Sequence, residues 1–459
     1  MSTSAVVENP ENSRGSKRRR FRRRAKILGG LACGMLLLAG CAGSGSGGGS
    51  SSGGPVTITF WDDNGGPRTP LYEHLIPIFE HENPGITVKY VGIPDTSVLQ
   101  KYDTAIVGGS PPDVASIPGE YLSAIIAQNA LVPLNGLLAK SSLKSQLLPS
   151  LLSATAAVSP TGNTYYGLPF SGVPTTLWCN MKLFRKAGLA CPTTWNAFFT
   201  DAIQLTNPST GQYGLTMRGG AGATAQLMEG MISYSGMSSF FSPSGQSNIG
   251  SPLATEFVKR FAALYKTGTP TADINNSYLQ MVAEFDSGKA AMMLQNIGSY
   301  QSNVTALGGQ QNVMGLPYPS SPYTPGKVTI AAPEIDTYAI FKSSPNQAAD
   351  WKFIQFLLSA TSNGYWNQNV GQIPGNKSVL KQSWIQQQQP VKAIVPALAS
   401  KNTHVVNVPL YLPELGGIEN DMDTQWQKVL LGQMSPQQWV QTLDGDLNSA
   451  QAQSRNGQK

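Results

Sequence analysis

Acidic and aromatic side chains follow the end of the first predicted strand, where small-molecule sites form in α/β proteins. Trp61, Asp62 and Asp63 come directly after the alternating apolar run at residues 56–60. An aromatic face can stack on the apolar face of a pyranose ring, and carboxylates accept hydrogen bonds from hydroxyl groups. These residues predict part of a site for a hydroxyl-bearing ligand. The structural alternative, with Trp61 in the core and the aspartates capping the next helix, is equally open.

Three more polar candidates follow predicted strands further along the chain. Glu120 and Tyr121 follow the apolar strand after Asp113, and helix capping competes equally with ligand binding there. Arg218 lies in a glycine-containing loop and could clamp vicinal hydroxyls or an anionic group, although a plain surface arginine is slightly favoured. Asp113 itself follows Pro112 and is expected to make a turn or a cap.

No catalytic or metal-binding pattern accompanies these candidates. His74 and His81 are seven residues apart, whereas metal-binding helices place histidines four apart. A glycosidase needs two carboxylates at a defined separation, and the adjacent Asp62 and Asp63 are expected to diverge. We therefore expect a binding protein, with no catalytic residue, metal or cofactor. Turnover of a sugar would instead indicate a glycoside-acting enzyme.

The first forty residues have the pattern of an export signal. A basic run at Lys17–Lys26 precedes the short apolar stretch Ile27–Ala39. Leu38–Cys41 resembles the lipobox of bacterial lipoproteins, which implies cleavage before Cys41 and acylation of its thiol. Residues 18–21 also resemble a twin-arginine signal, and a merely basic leader is equally open. We expect a signal peptide at 1–40, a Gly/Ser tether at 41–54 and a lipid anchor at the extracellular face of the cell membrane.

Charge and composition exclude other classes. Nine of the 32 basic residues but only two of the 26 acidic residues lie in residues 1–40, so the remainder carries 23 basic and 24 acidic residues. This balance argues against nucleic-acid binding. An adhesin would be expected to show repeats or the strand spacing of a β-sandwich, and the sequence shows neither. Cys179 and Cys191 are the only cysteines after the lipobox, and a disulfide and two separately buried thiols are both open.

Beyond the tether, predicted strands alternate with helices. Residues 56–60, 86–91 and 114–117 read as strands, with helices near 71–82 and 121–131 between and after them. The same alternation recurs at residues 177–187 and 335–358, and the chain ends in two helical stretches. This order predicts an α/β protein with a mainly parallel sheet.

Several short phrases occur in an order that resembles the family 1 extracellular solute-binding proteins, relatives of maltose-binding proteins. The phrases are Phe60-Trp61, Asn83-Pro84-Gly85, Pro112-Asp113-Val114, Tyr166-Gly167-Leu168-Pro169-Phe170, Asn180-Met181-Lys182-Leu183-Phe184, Pro192-Thr193-Thr194-Trp195 and Gly288-Lys289-Ala290-Ala291-Met292. Together they span roughly residues 55–450.

The resemblance implies a two-lobed periplasmic-binding-protein-like fold of type II. Each lobe would be a mainly parallel sheet flanked by helices, and hinge strands would join the lobes. Lobe one would comprise residues 55–170 and 335–370, and lobe two residues 171–330 and 371–455. Ligand would be held in the cleft while the lobes close on it.

The resemblance also implies further ligand-binding residues and partners. Asn296 and Ser299 lie where many relatives place a ligand-stacking tryptophan, and Glu334 and Tyr411 complete the candidate site. A sugar delivered to ABC permease subunits by a monomeric protein is the leading prediction. The phrase Gly371–Pro374 also resembles members that bind glycerophosphodiesters, so that ligand or another polar solute stays an alternative.

Overall fold

The computed structural model describes residues 54–159 and 161–457, which form an α/β protein. The strands are β1 Val56–Asp62, β2 Ile86–Gly92, β3 Val114–Pro118, β4 Leu168–Val173, β5 Thr175–Asn180, β6 Tyr213–Thr216, β7 Ala290–Asn296, β8 Val313–Leu316, β9 Val328–Ala331, β10 Glu334–Ile340, β11 Ile373–Pro374 and β12 Thr403–Val406. The helices are α1 Thr69–Glu82, α2 Val98–Val107, α3 Gly119–Ala127, α4 Asn135–Ala139, α5 Leu143–Gln146, α6 Pro149–Ala157, α7 Met181–Ala187, α8 Trp195–Gln204, α9 Ala223–Ser235, α10 Pro252–Ala262, α11 Tyr278–Asp286, α12 Tyr300–Ala306, α13 Gln347–Leu357, α14 Ala360–Val370, α15 Ser383–Gln387, α16 Gln389–Ala399, α17 Leu415–Leu430 and α18 Pro436–Gly457.

Local sequence explains the first strand–helix–strand unit. Every second residue of β1 is buried, as a period-two pattern requires. Helix α1 has a proline in its first turn and buries the apolar residues of one face. The chain then turns at Gly85, whose φ of +97° favours glycine, and enters β2. The unit returns β2 parallel to β1 along its whole length.

The six-stranded sheet has the order β11-β4-β10-β3-β1-β2. Strands β1 to β4 point in one direction, whereas β10 and β11 run against their neighbours. The four-stranded sheet has the order β6-β7-β5-β8, and only β5 is reversed. The predicted α/β class is confirmed. The expectation of mainly parallel sheets needs correction, because the reversed strands make most paired neighbours antiparallel.

Extended crossings between the sheets explain these reversals. Strand β4 of the six-stranded sheet continues through Pro174 directly into β5 of the four-stranded sheet. In the other direction, β9, which pairs with β12 in a separate two-stranded sheet, continues through Ala332 and Pro333 into β10 of the six-stranded sheet. Each crossing lacks a turn and a helix, and β5 then runs against the other strands of the four-stranded sheet, while β10 runs against β1 to β4.

Each sheet has its own apolar core. Buried side chains from residues 58–170 and 335–366 pack on the six-stranded sheet, where Phe170 stacks on Tyr338 with centroids 4.2 Å apart. Buried side chains from residues 177–331 and 385–450 pack on the four-stranded sheet. Two cores joined by crossing strands confirm the two-lobed architecture, while the exact boundaries of the lobes stay predictions.

The described helices include none that is both long and apolar enough to cross a membrane. The predicted signal peptide, most of the tether and the acylation site Cys41 lie outside the described residues.

A disulfide joins Cys179 of β5 to Cys191, with Cα atoms 5.9 Å apart. The bond closes a loop that contains α7, and both residues are buried. Of the two possibilities that the sequence left open, the structure contains the disulfide.

Reduction of this disulfide should destabilise the protein. Closing a loop of this length lowers the entropy of the unfolded chain and stabilises the fold by about 3 kcal/mol. Urea unfolding with and without reductant should therefore show a lower midpoint in reductant. The double variant Cys179→Ser/Cys191→Ser should unfold at the lower midpoint under both conditions. A wild-type midpoint that does not respond, although thiol labelling shows reduction, would contradict the assignment.

Candidate ligand-binding site

A cavity of about 500 Å³ lies between the two lobes. The six-stranded lobe contributes polar side chains that include Asp63, Arg68, Glu120, Tyr121, Glu334, Asp336 and Asn369. The four-stranded lobe contributes Arg218, Tyr278, Gln295, Asn296, Glu419, Asn420 and Asp423. Val173, the last residue of β4, and Gln372, which precedes β11, also line the cavity. We call this cavity the cleft.

Strand direction explains why distant residues meet in the cleft. β1 and β3 are parallel, so Asp63 and Glu120, which follow their carboxyl ends, lie at the same edge of the sheet. β10 runs the opposite way, so Glu334 and Asp336 at its beginning reach that same edge. In the other lobe, β6 and β7 are parallel and place Arg218 and Asn296 at their shared carboxyl edge.

A buried ion cluster forms the floor of the cleft on the first lobe. Arg68 Nη1 donates to both carboxylate oxygens of Asp63 at 3.1 Å, and Nη2 donates to Asp336 Oδ2 at 3.1 Å. The guanidinium also lies over the ring of Trp366, 5.1 Å from its centroid. Burial raises the pKa of Asp336 to about 6, and Arg68 opposes the rise. The cluster connects β1, the start of α1 and β10.

Asp62 and Asp63 converge, which corrects the expectation that they diverge. The Ser116 hydroxyl lies 3.2 Å from Asp62 Oδ1 and also hydrogen-bonds Asp63 Oδ1. Asp62 is fully buried and accepts a second hydrogen bond from the Tyr90 hydroxyl at 3.0 Å. Burial raises the pKa of Asp62 to about 7, and the charge of Asp63 adds to the rise. Asp62 therefore lies behind the cleft-lining Asp63, and the hydroxyl of Ser116 links the two carboxylates by hydrogen bonds.

Three glutamates form another acidic group at the cleft, which we call the glutamate wall: Glu120, Glu334 and Glu419. Burial raises the pKa of Glu120 and of Glu419 well above the ordinary value, and Glu334 adds to both rises. Burial raises the pKa of Glu334 to about 7; Asp336 adds to this rise and Arg218 opposes it. Glu419 is buried, whereas Glu120 and Glu334 are half-buried, and the three bring acidic groups from both lobes to the cleft.

The glutamate wall separates the cleft from a second cavity of about 580 Å³, because its three residues line both. Most of the second cavity is apolar, with side chains that include Ala154, Val158, Met228, Phe240, Val406 and Leu410. Glu229 also lines it and accepts a hydrogen bond from the Tyr318 hydroxyl at 3.2 Å. The two cavities therefore differ in chemistry, and the polar one is the candidate for a polar ligand.

Arg218 is held at the cleft by the loop that precedes α9. Its Nη1 donates to the Gly222 carbonyl at 3.2 Å, whereas its buried Nε has no partner among the described residues. Gly222 has a φ of +80°, which favours glycine, and a Cβ there would lie 2.3 Å from Arg218 Nη1 and displace the guanidinium. Asp423 caps α9 by accepting from the backbone N–H groups of Gly222 and Thr224. These hydrogen bonds fix the conformation of the loop that carries Arg218.

The structure brings six of the sequence-predicted residues to the cleft: Asp63, Glu120, Tyr121, Arg218, Asn296 and Glu334. Their roles as ligand contacts stay predictions. The predicted capping of α3 by a side chain is not seen for Glu120, which lies in the first turn of that helix. Asp113 has a structural role as expected, but not through a turn or a cap: it accepts from the backbone N–H of Thr59, 54 residues away, at 2.7 Å.

Four predicted residues do not line the cleft: Trp61, Asp62, Ser299 and Tyr411. Trp61 points to the opposite face of β1 from Phe60 and packs near Tyr102, with ring centroids 5.9 Å apart. Ser299 is buried in the turn before α12. Tyr411 lines the second cavity and donates to Gln451 at 2.6 Å.

Sequence reasoning missed Arg68, Asp336, Tyr278 and Gln372. An arginine five residues after an aspartate pair could have indicated Arg68, because the side chain can turn back across the strand end. Asp336 is 268 residues from Arg68, and nothing local marks their contact. Its position depends on the reversal of β10.

Comparison with known proteins agrees with this geometry. Residues 64–364 match the family model described as bacterial extracellular solute-binding protein. A binding protein of Brucella abortus is 26% identical over 326 residues, covering 69% of this chain and 75% of that protein. The mannitol-binding protein of Pseudomonas aeruginosa is 28% identical over 225 residues, covering 48% of this chain and 50% of that protein.

Solved structures share the fold. A solute-binding protein of an ABC transporter from Thermotoga lettingae, bound with α-D-tagatose, superimposes with a TM-score of 0.76. The two chains are 21% identical, and the match covers 86% of this chain and 99% of that one.

Replacement of Arg68 tests the ion cluster. Arg68→Met should destabilise the protein by about 3–5 kcal/mol, because Asp63 and Asp336 would remain buried without a cation. Urea unfolding measures the change. Arg68→Met/Asp336→Asn should recover part of the loss, since one orphaned carboxylate is removed. A loss below about 1 kcal/mol for the single variant, the value typical of an exposed pair, would contradict a buried cluster.

Proposed function

Since the chain belongs to the bacterial extracellular solute-binding proteins, we propose that it captures a small sugar or polyol for an ABC importer. The observation that carries this proposal is a polar cleft between two lobes, with hydrogen-bonding side chains on both. A ligand with several hydroxyl groups can donate to the carboxylates and accept from the amide and guanidinium groups.

The lining of the cleft favours a small or acyclic ligand over a long oligosaccharide. Tyr121 and Tyr278 are its aromatic residues, and no tryptophan is among the described residues that line it. Stacking on aromatic rings is a large part of pyranose recognition, whereas an acyclic polyol depends mainly on hydrogen bonds. Similarity to a mannitol-binding protein also favours a small, acyclic ligand.

The charge of the cleft argues against the glycerophosphodiester alternative. Seven carboxylates line the cleft, against two arginines, Arg68 and Arg218. Arg68 is already paired with two of those carboxylates. A phosphodiester would enter a site with excess negative charge, which costs free energy unless further cations surround it.

Closure of the lobes is the proposed mechanism. The crossings through Pro174 and through Ala332–Pro333 are short and extended, and they connect two separate cores. Rotation about them requires no repacking inside either core. A ligand that contacts both lobes stabilises the closed state, and that state docks on the permease. ATP hydrolysis belongs to partner subunits, and we propose no catalysis by this chain.

Export and lipid anchoring complete the proposal. Acylation at Cys41 would hold the protein at the extracellular face of the membrane, with the Gly/Ser-rich residues 42–54 as the tether. The tether would let the ligand-binding part move near a membrane permease.

A thermal-shift screen of hexitols, pentitols, monosaccharides, disaccharides and glycerophosphodiesters tests the ligand class. A ligand at 100 times its Kd adds about 2.7 kcal/mol to the free energy of unfolding. We expect shifts with a polyol or small sugar and no turnover of it.

Two variants locate the binding. Asn296→Ala should weaken binding by about tenfold, the loss expected for one good hydrogen bond. Tyr411→Phe, outside the cleft, should bind as the wild type does. Shifts with phosphodiesters alone, or chemical conversion of the ligand, would refute the proposed function.

A further inference from the structure

The three carboxylates of the glutamate wall can accept more hydrogen bonds than the surrounding side chains donate. Glu120 comes from the first turn of α3, Glu334 from the start of β10 and Glu419 from the second turn of α17. Among the described residues, no side chain donates a hydrogen bond to any of their carboxylates, and the ion pairs within 4.0 Å are those of Arg68 with Asp63 and Asp336. Three elements from two lobes thus bring unpaired carboxylates to one place.

Glu419 shows that the wall is more than a solvated acidic surface. Only 8% of its surface is exposed, and it lines both cavities. With so little exposure and no side-chain donor, its carboxylate is left to contact whatever occupies the cavities that it lines. The four-stranded lobe therefore places at the cleft an acceptor that no other described side chain satisfies.

An ammonium group matches the wall better than a hydroxyl does. A hydroxyl offers one donor and no charge, whereas a primary ammonium offers three donors and a full positive charge. Three carboxylates on three elements correspond in number to three N–H donors. A cation also offsets the excess of carboxylates over arginines in the cleft.

We propose that the ligand of this protein carries a primary ammonium group beside its hydroxyls, as in an amino polyol or amino sugar, with the ammonium at the glutamate wall. This inference rests on the proposed function and names the ligand class more closely. The hydroxyls would contact the remaining polar groups of the cleft, including Arg218 and Asn296.

The electrostatics of the wall fit this assignment. Burial raises the pKa of all three glutamates, and neighbouring carboxylates add to each rise. Arg218 opposes the rise for Glu334 but forms no ion pair with the wall among the described residues. A bound ammonium would supply the counter-charge that is missing.

Matched ligand pairs test the inference directly. Calorimetry at about pH 7, where a primary amine is protonated, compares glucitol with 1-amino-1-deoxyglucitol, mannitol with 1-amino-1-deoxymannitol and glucose with glucosamine. In at least one pair, the amine should bind at least about tenfold more tightly than its hydroxyl partner, as one charge-assisted contact provides.

Two variants on α17 locate the ammonium. Glu419→Gln keeps the shape but removes a charge, and it should weaken binding of the amine severalfold more than binding of its hydroxyl partner. Asp421→Asn removes an exposed carboxylate two residues away and should keep the wild-type preference. A melting curve for each variant confirms folding before the titrations.

The outcomes separate the inference from the proposed function. Equal or tighter binding of the hydroxyl partner in every pair would overturn the ammonium and leave the proposed function in place. An amine preference that survives Glu419→Gln would also overturn it, because the ammonium would then lie elsewhere. Failure of every sugar, polyol and amine to bind would overturn both.

Discussion

The architecture depends on two extended crossings between the sheets. β4 continues into β5 through one residue, Pro174, and β9 continues into β10 through two, Ala332 and Pro333. Neither connection leaves room for a helix or a turn, so the strand direction is reversed on arrival. That reversal brings the beginning of β10 to the same edge as the ends of β1 and β3. The cleft and its polar residues follow from this one constraint on the chain.

Two acidic groups at the cleft differ in whether a cation forms ion pairs with them. Asp63 and Asp336 are buried against Arg68, with hydrogen bonds of 3.1 Å to both. In the glutamate wall only Glu419 is buried to the same degree, and no described cation forms an ion pair with any of its three carboxylates. A compensated cluster holds the fold together, since removal of its cation would leave buried charge. An uncompensated cluster in a cavity costs stability, and recognition of a ligand is the gain that can offset it.

Strand–helix alternation, turn residues and short ordered phrases were sufficient for the fold class and for six residues of the cleft. These features are local, or repeat along the chain. The position of Asp336 in the cleft could not be predicted from the sequence, because its partner Arg68 is 268 residues away. Trp61 and Asp62 lie on opposite faces of β1 and neither lines the cleft, which is reached by Asp63, the residue just beyond the strand. Adjacent aspartates were expected to diverge, yet Ser116 from β3 hydrogen-bonds both.

Closure of the two lobes on a ligand is the central claim, and small-angle scattering of the purified protein measures it most directly. At saturating concentration of a sugar, polyol or amino polyol that binds, the radius of gyration should fall and the pair-distance distribution should narrow. Ligand binding shown by calorimetry without any change in the scattering curve would contradict closure about the crossings at Pro174 and Ala332–Pro333.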